Sequence, residues 1–533
     1  MKAICSETDS GLPISICLIY ITNNMASSSY QTFKNLFFNI VSFGVNFCIS
    51  FLLTPYLIKN VGKEAYSFFP LINSIIGYSS ILTTAVGSMA GRFITMRIYQ
   101  NDIIGANKYF NSVWVANALL STFFTIIAVF CVVFIDTLIS VPAELLKDVQ
   151  WLFGLGSATL IIGLLSGILG IGTFVKNRVD LLASRSVLAE CAKVIIIISL
   201  LYLLKPSIIY MGIGAFIAAL LFFFFNISFK QRLLSELTFA PKKYFSLPHL
   251  KEVFFSGIWN SINQLSSILL QQVDLLITNI FIGVSATGNY SIAKTAPLFI
   301  YSALAMLSGT FFPQFNILFA QDKTSELVSE IKRSMKIVGL LIGIPIGFLL
   351  VYSKEFYTLW VPGEDANLLY KLTVVTVLPL MIGGSVNPIF GVFPATNKLK
   401  VPSIVLLIAG VLNTLVIFIL LATTDLGIWA IAITGAIQGG LRNMLFTTTY
   451  GAICLKQEWY TFFPVMVKGC LGMSIVAIVG FMLKSILPPE NWGLFTTSFI
   501  IVTITASAIN FFFIFDKKER DTLFAMLQNR LFK

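Results

Sequence analysis

The stretch VFFSGIWNSINQLSSILLQQVDLLITNIF, residues 253–281, is long enough to cross a membrane yet carries polar groups along its whole length. A hydrocarbon core about 30 Å thick takes about 20 residues of α-helix. The stretch lacks the period-two alternation of a barrel strand. Asn260, Asn263, Gln264, Ser267, Gln271, Asp274 and Thr278 recur every three to four residues and so share one helical face, while Phe, Leu, Ile and Val fill the others. Polar groups are costly in lipid, so a stripe of this length is expected on a water-filled side.

Similar runs fill the chain. Six candidate spans lie near 35–58, 67–90, 112–135, 151–175, 187–204 and 207–229. Seven more follow the quoted one, near 288–312, 335–353, 368–391, 402–423, 427–453, 463–483 and 492–515. The chain has 533 residues, of which 57% are hydrophobic and only 11% charged. An average soluble domain has about 25% charged residues, so a soluble enzyme, a disordered scaffold and a nucleic-acid-binding domain are excluded. The expected class is all-α: a polytopic membrane protein with about 14 transmembrane helices, in two six-helix lobes plus two C-terminal helices.

The net charge of +12 is read loop by loop, because Lys and Arg concentrate on the cytoplasmic side. With the N-terminus inside, 27 of the 36 basic residues fall on cytoplasmic segments and 7 on the opposite side. Both termini are then expected in the cytoplasm. The domain reading is a cytoplasmic N-terminal extension at 1–34, an N-lobe at 35–229, a basic linker at 230–252, a C-lobe at 253–453, helices 13 and 14 at 454–515, and a cytoplasmic tail at 516–533. Within the extension, LPISICLIYI at 12–21 is too short to span, and Met25 opens a more ordinary start, so residues 1–24 are expected to be an upstream extension. The lobes show a faint repeat at a shift of 221: Asn39 falls on Asn260, Gly62 on Gly283 and Ala65 on Ala286.

The first helix of the N-lobe repeats the stripe, with Asn35, Asn39, Ser42, Asn46 and Ser50 on one face. Asn39, Asn46, Asn260, Asn263, Gln264 and Gln271 are therefore candidates to line a substrate cavity between lobes; the alternative is hydrogen-bonded packing between helices, worth about 0.6 kcal/mol per bond. Asp274 lies deep in its span and Lys294 at similar depth in the antiparallel neighbour, so the two can meet. Asp274 is a candidate for ion or proton coupling, or simply half of a structural ion pair. Lys294 and Arg442, the latter in AIQGGLRNMLF, are candidate cavity cations; a guanidinium can hold a phosphate with two bonds or merely reach for headgroups. Pro379, Gly383, Gly384, Pro388, Gly391 and Pro394 predict an interrupted tenth span. Arg92, Arg97, Lys176 and Arg178 form a basic rim at the cytoplasmic ends of spans two and four.

No Walker motif, nucleophile elbow, carboxylate pair or metal cluster is present, and His249 is the single histidine. Neither an enzyme nor a cofactor or metal is expected, and the seven cysteines read as small core residues.

Two stretches carry a resemblance. CISFLLTPYLIKNVGKEAYSFFPLINSIIGYSSILTTAVGSMAGRFITMRIYQNDIIGANKYFNSV at 48–113 and SGIWNSINQLSSILLQQVDLLITNIFIGVSATGNYSIAKTAPL at 256–298 resemble bacterial polysaccharide-repeat flippases of the Wzx type. These belong to the multidrug/oligosaccharidyl-lipid/polysaccharide exporter superfamily. The resemblance implies a fourteen-helix, two-lobe transporter of the bacterial cytoplasmic (inner) membrane. It would move undecaprenyl-pyrophosphate-linked oligosaccharide units outward by alternating access, for surface polysaccharide such as lipopolysaccharide or capsule. The implied partners are the lipid-linked oligosaccharide, membrane lipids, a polysaccharide polymerase and a chain-length regulator, with no nucleic acid. Flippases of the peptidoglycan precursor share the plan but carry several arginines in the first two helices, where this chain has none inside the spans. An ion-coupled multidrug exporter of the same superfamily is the alternative, although the drug/sodium branch has two spans fewer. A membrane-embedded assembly partner is a third class. The Asn- and Gln-rich stripe favours sugar hydroxyls over apolar drugs.

Overall fold

A computed structural model describes residues 14–517, 519 and 520. The expectations for residues 1–13 and for the tail beyond 520 fall outside the described residues. Among the described residues every regular element is helical. The chain is a polytopic all-α membrane protein. Apolar runs of this length make helices because only helices satisfy every backbone N–H and C=O within one segment in lipid.

The principal helices are α1 (Ile14–Val61), α2 (Lys63–Gly77), α3 (Ser80–Tyr99), α4 (Ile103–Val133), α5 (Leu146–Gly167), α6 (Val179–Leu203), α7 (Ile209–Leu233) and α8 (Leu247–Gln271). They continue with α9 (Val273–Phe281), α10 (Val284–Gly309), α11 (Thr324–Trp360), α12 (Ala366–Val386), α13 (Lys400–Thr423), α14 (Ile428–Leu441), α15 (Phe463–Ile486) and α16 (Trp492–Ile514). By length and composition 11 described helices can cross a membrane, or up to 12 if α2 and α3, bent by 57°, form one span. The remaining two of the fourteen expected spans are the broken ones. Span seven divides into α8 and α9, and span twelve into α14, a π-helical turn at Arg442–Thr447 and a short helix at Thr448–Cys454. The tenth span is interrupted as its prolines predict: α12 gives way to a 3-10 turn at Asn387–Gly391 with Pro388 in its first turn. The apolar segment before Met25 does not stand apart, since α1 runs unbroken from Ile14.

The described chain gathers into two compact units. One comprises residues up to Tyr56 with Leu82–Val133 and Asp148–Gly257; the other comprises Leu57–Ile81, Phe134–Lys147 and everything from Ile258 on. In the first, Ile94 of α3 and Tyr109, Phe110 and Val113 of α4 are buried with Leu234, Leu237 and Val253. Leu234 and Leu237 lie within the expected linker and Val253 directly follows it, so the linker is an ordered strap. Asn107 Oδ1 accepts from Thr238 N at 2.7 Å and Asn111 Oδ1 from Ala240 N at 2.9 Å. Their Nδ2 groups donate to Glu236 O and Thr238 O, and Ser112 Oγ accepts from Ser246 N at 2.9 Å. Three side chains of α4 thus do for the strap what a neighbouring strand would do.

In the second unit α11 is the central helix, packed against α12 and α15. A Cβ on Gly347 would lie 2.8 Å from the Met473 carbonyl, so glycine is what lets α11 and α15 approach. Far in sequence, Lys63 at the start of α2 pairs with Glu364 at 2.9 Å, both largely buried.

The repeat is visible in the backbone. Gly62 (φ 87°, ψ 154°) and Gly283 (φ 123°, ψ 174°), 221 positions apart, each precede the second helix of their repeat in a region only glycine enters freely. Asn101 and Asp322, also 221 apart, are both left-handed, as are Asn177 and Asn397 at 220. Replacing Gly62 or Gly283 by Ala is expected to cost about 1–3 kcal/mol in backbone strain. Nothing lies within 4 Å of the added Cβ at either position, so sterics contribute nothing. Gly87→Ala, at an exposed and open position within α3, is the contrasting control, expected to stabilise by about 0.5–1 kcal/mol; thermal unfolding in one detergent compares the three.

His249, just past the strap in the first turn of α8 and before the 253–281 span, accepts or donates at 2.7 Å with Ser246 Oγ and lies edge-on to the Tyr109 ring at 4.7 Å. Burial first, then Lys108 and Arg97, push its imidazole below the ordinary range against the opposing pull of Glu252 and Asp102. The folded state therefore resists a proton that the unfolded chain takes up below about pH 6.5. Stability is fully present above that pH and falls as pH drops towards the folded value. Wild type should lose more stability than His249→Gln between neutral pH and about pH 5, read as the shift in unfolding midpoint.

Candidate functional site

The site begins at a helix break. Between α8 and α9 the chain turns at Gln272 (φ −110°, ψ −32°), so the carbonyl of Gln271 is free to serve another donor. Lys294 Nζ of α10 takes it at 2.6 Å. The same ammonium lies 3.1 Å from Asp274 Oδ2, and the Tyr290 hydroxyl, one turn before Lys294, donates to that oxygen at 3.1 Å. Asp274 sits in the first turn of α9, where the exposed N–H groups of a helix start favour a carboxylate. Its side chain and that of Lys294 are only 9% and 12% exposed. The two charges identified from their depth in neighbouring spans thus form a direct pair.

That pair opens onto a cavity of about 150 Å³ within the second unit. Gln271, Asp274, Tyr290, Lys294, Tyr301, Gln438, Arg442 and Asn443 are its polar lining, with Leu270, Leu298, Leu380 and Ala436 among them. Arg442 opens the π-helical turn, an irregularity often found at functional positions. Its Nη2 donates to Asn443 Oδ1 at 3.4 Å, while its Nε and the Nε2 of Gln438 are buried without a partner. Both orphan groups are donors, so what they lack is an acceptor.

The other candidates are placed elsewhere. Gln264 donates to Ser80 Oγ at 2.8 Å, while Asn260 and Asn263 lie half-buried lower on α8. In the first unit the α1 stripe divides. Asn35 bonds Asn177 and accepts from Asp180 N at 2.9 Å, and Ser42 meets Ser186 of α6 at 3.2 Å. Asn39 and Asn46 donate back to the Asn35 and Ser42 carbonyls of their own helix. The basic rim is partly neutralised internally: Arg97 pairs with Asp102, and Arg178 and Lys34 with the buried Asp180.

Several polar residues at this depth escape the sequence reading. Tyr290 had a usable signal, standing four residues before Lys294. Gln272 Oε1, the Tyr78 hydroxyl and both amide atoms of Asn413, itself 2% exposed, are buried without partners. Lys193 of α6 pairs with Glu190 one turn before it.

No family description matches the chain. A protein of Bacillus subtilis (strain 168) known as the uncharacterized membrane protein EpsK is 26% identical over 486 residues, 90% of this chain and 95% of its own. Among solved structures, the lipid II flippase MurJ in an inward closed conformation aligns with a TM-score of 0.64 at 17% identity, over 90% of this chain and 97% of its own. An inward-facing multidrug resistance MATE family transporter of the MOP superfamily gives 0.59 at 16% identity, over 80% and 94%. A MOP superfamily transporter from Pyrococcus furiosus gives 0.60 at 13%, over 80% and 95%. These likenesses establish a shared fold.

Asp274→Ala and Lys294→Ala should each destabilise the protein by about 3–5 kcal/mol, because each strands a buried charge. The double variant should lose less than the sum of the two. A double-mutant cycle on detergent-solubilised protein measures the coupling; strict additivity would mean the pair carries no interaction energy.

Proposed function

We propose that the chain is a flippase that carries undecaprenyl-pyrophosphate-linked oligosaccharide repeat units across the bacterial cytoplasmic membrane by alternating access. The observation that carries the reading is that Arg442 and Gln438 present buried donors without acceptors in the same cavity that the Lys294–Asp274 pair lines. A diphosphate supplies acceptors with matching charge, and in a low-dielectric site even two cations bind it far more strongly than in water. Asn and Gln along α8 suit sugar hydroxyls. The fold shared with a lipid II flippase supports a lipid-linked cargo.

In this proposal Asp274 holds Lys294 while the cavity is empty, and an anionic cargo competes for the ammonium. Both termini are cytoplasmic, following the charge bias, and the protein acts as a carrier, not a catalyst. The exported unit passes to a polymerase working with a chain-length regulator. The second reading, an ion-coupled exporter of small molecules, draws on the MATE fold likeness and on the single acid in the cavity, Asp274.

Complementation of a deletion strain separates the two, with surface polysaccharide and expression level measured together. Arg442→Ala should lower polysaccharide about tenfold or more at wild-type expression, the scale expected for loss of a charged hydrogen bond. Arg442→Lys should restore part of it. If Arg442→Ala and Lys294→Ala both sustain wild-type polysaccharide at wild-type expression, neither residue holds the cargo. Loss of resistance to cationic drugs with intact polysaccharide would instead favour the exporter.

A further inference from the structure

The strap at 234–247, on the first unit, presents a second surface whose reading is independent of which cargo moves. Its inner edge is spent on Asn107, Asn111 and Ser112 of α4. Its outer edge is not: Phe239 is 54% exposed, Phe245 46% and Leu247 52%, and Lys242 and Lys243 between them are exposed too. Apolar and basic side chains thus share one face. Contiguous exposed apolar groups of this kind mark a membrane or a partner surface.

The height of the strap on α4 decides between water and membrane. At 31 residues α4 is about 46 Å long at 1.5 Å per residue, some 15 Å more than the hydrocarbon core. The surplus lies at the strap end, where Asn107, Lys108, Asn111 and Ser112 cluster; from Val113 to Val133 no charged residue occurs. Ser112 therefore marks the edge of the hydrocarbon, and Ser112 is where the strap is pinned at Ser246. Trp114, a residue type that favours the interface, packs edge-on against Phe239 at 4.5 Å. Residues 230–252 carry five cations, Lys230, Arg232, Lys242, Lys243 and Lys251, against Glu236 and Glu252. Glu252 is already engaged by the Tyr109 hydroxyl.

We propose that the strap is an interfacial binding site for anionic phospholipid, with Phe239, Phe245 and Leu247 seated among the chains and Lys242 and Lys243 on the headgroups. Basic residues at this level attract anionic leaflets, and the attraction fades with salt. Apolar seating fixes the depth; charge selects the headgroup.

The test reconstitutes the full chain in bilayers containing brominated phosphatidylglycerol or, at equal mole fraction, brominated phosphatidylcholine. The Trp114 signal is the difference between wild type and Trp114→Phe. Brominated phosphatidylglycerol should quench it about twofold more than the zwitterionic lipid. The preference should vanish at about 0.5 M salt and in the Lys242→Gln, Lys243→Gln double variant. Both lysines are exposed, so that variant should keep the wild-type melting temperature. Equal quenching by the two lipids overturns the anionic preference. Quenching by neither overturns the membrane site and leaves a protein partner as the occupant of the face.

Discussion

A helix cannot break inside hydrocarbon unless the groups at the break find partners. The interruption at Gln272 meets that condition through one side chain, since Lys294 takes the freed carbonyl of Gln271. A lysine drawn there needs a counter-charge, and the new helix start provides the place for Asp274. Tyr290 then donates to the same carboxylate oxygen that faces Lys294. The π-helical turn at Arg442 is a second irregularity, and it borders the same cavity. Irregular backbone at membrane depth is tolerated where it lines such a space, so the two breaks and the cavity are one arrangement.

The membrane class and the helical spans were legible because apolar runs of about 20 residues have no other stable form in lipid. Spans seven and twelve read as ordinary helices from their length, yet both are broken, as span two and the proline-rich span ten also are. Their polar residues are what permits the breaks. Asp274 and Lys294 could be paired from sequence because a short turn joins their helices. Arg442 could not be placed in the same cavity from sequence: its helix is remote along the chain, and a π turn shifts the face it presents.

The stripes show where pattern alone stops. α1 and α8 carry the same spacing of Asn and Ser, but Asn35 and Ser42 are bonded to α6 and the turn before it, through Asn177, Asp180 and Ser186. Lining and packing use the same residue types, and only the neighbour tells them apart. The repeat was faint in side chains and clear in dihedral angles, because a left-handed turn tolerates few residues while a lipid-facing position tolerates many. The linker was read as a tether from its charge and prolines; the asparagines that fasten it belong to another helix.

The Lys63–Glu364 pair has a consequence for biosynthesis. At about 5–20 residues per second, the ribosome adds the glutamate about 15–60 s after the lysine. During that interval Leu57–Ile81, which packs with residues after Ile258, is in the bilayer without its partners, whereas the first unit can close once Val253 emerges. Through that interval the segment waits for the later residues it packs with. A chain cut short before Glu364 would leave Lys63 without its counter-charge.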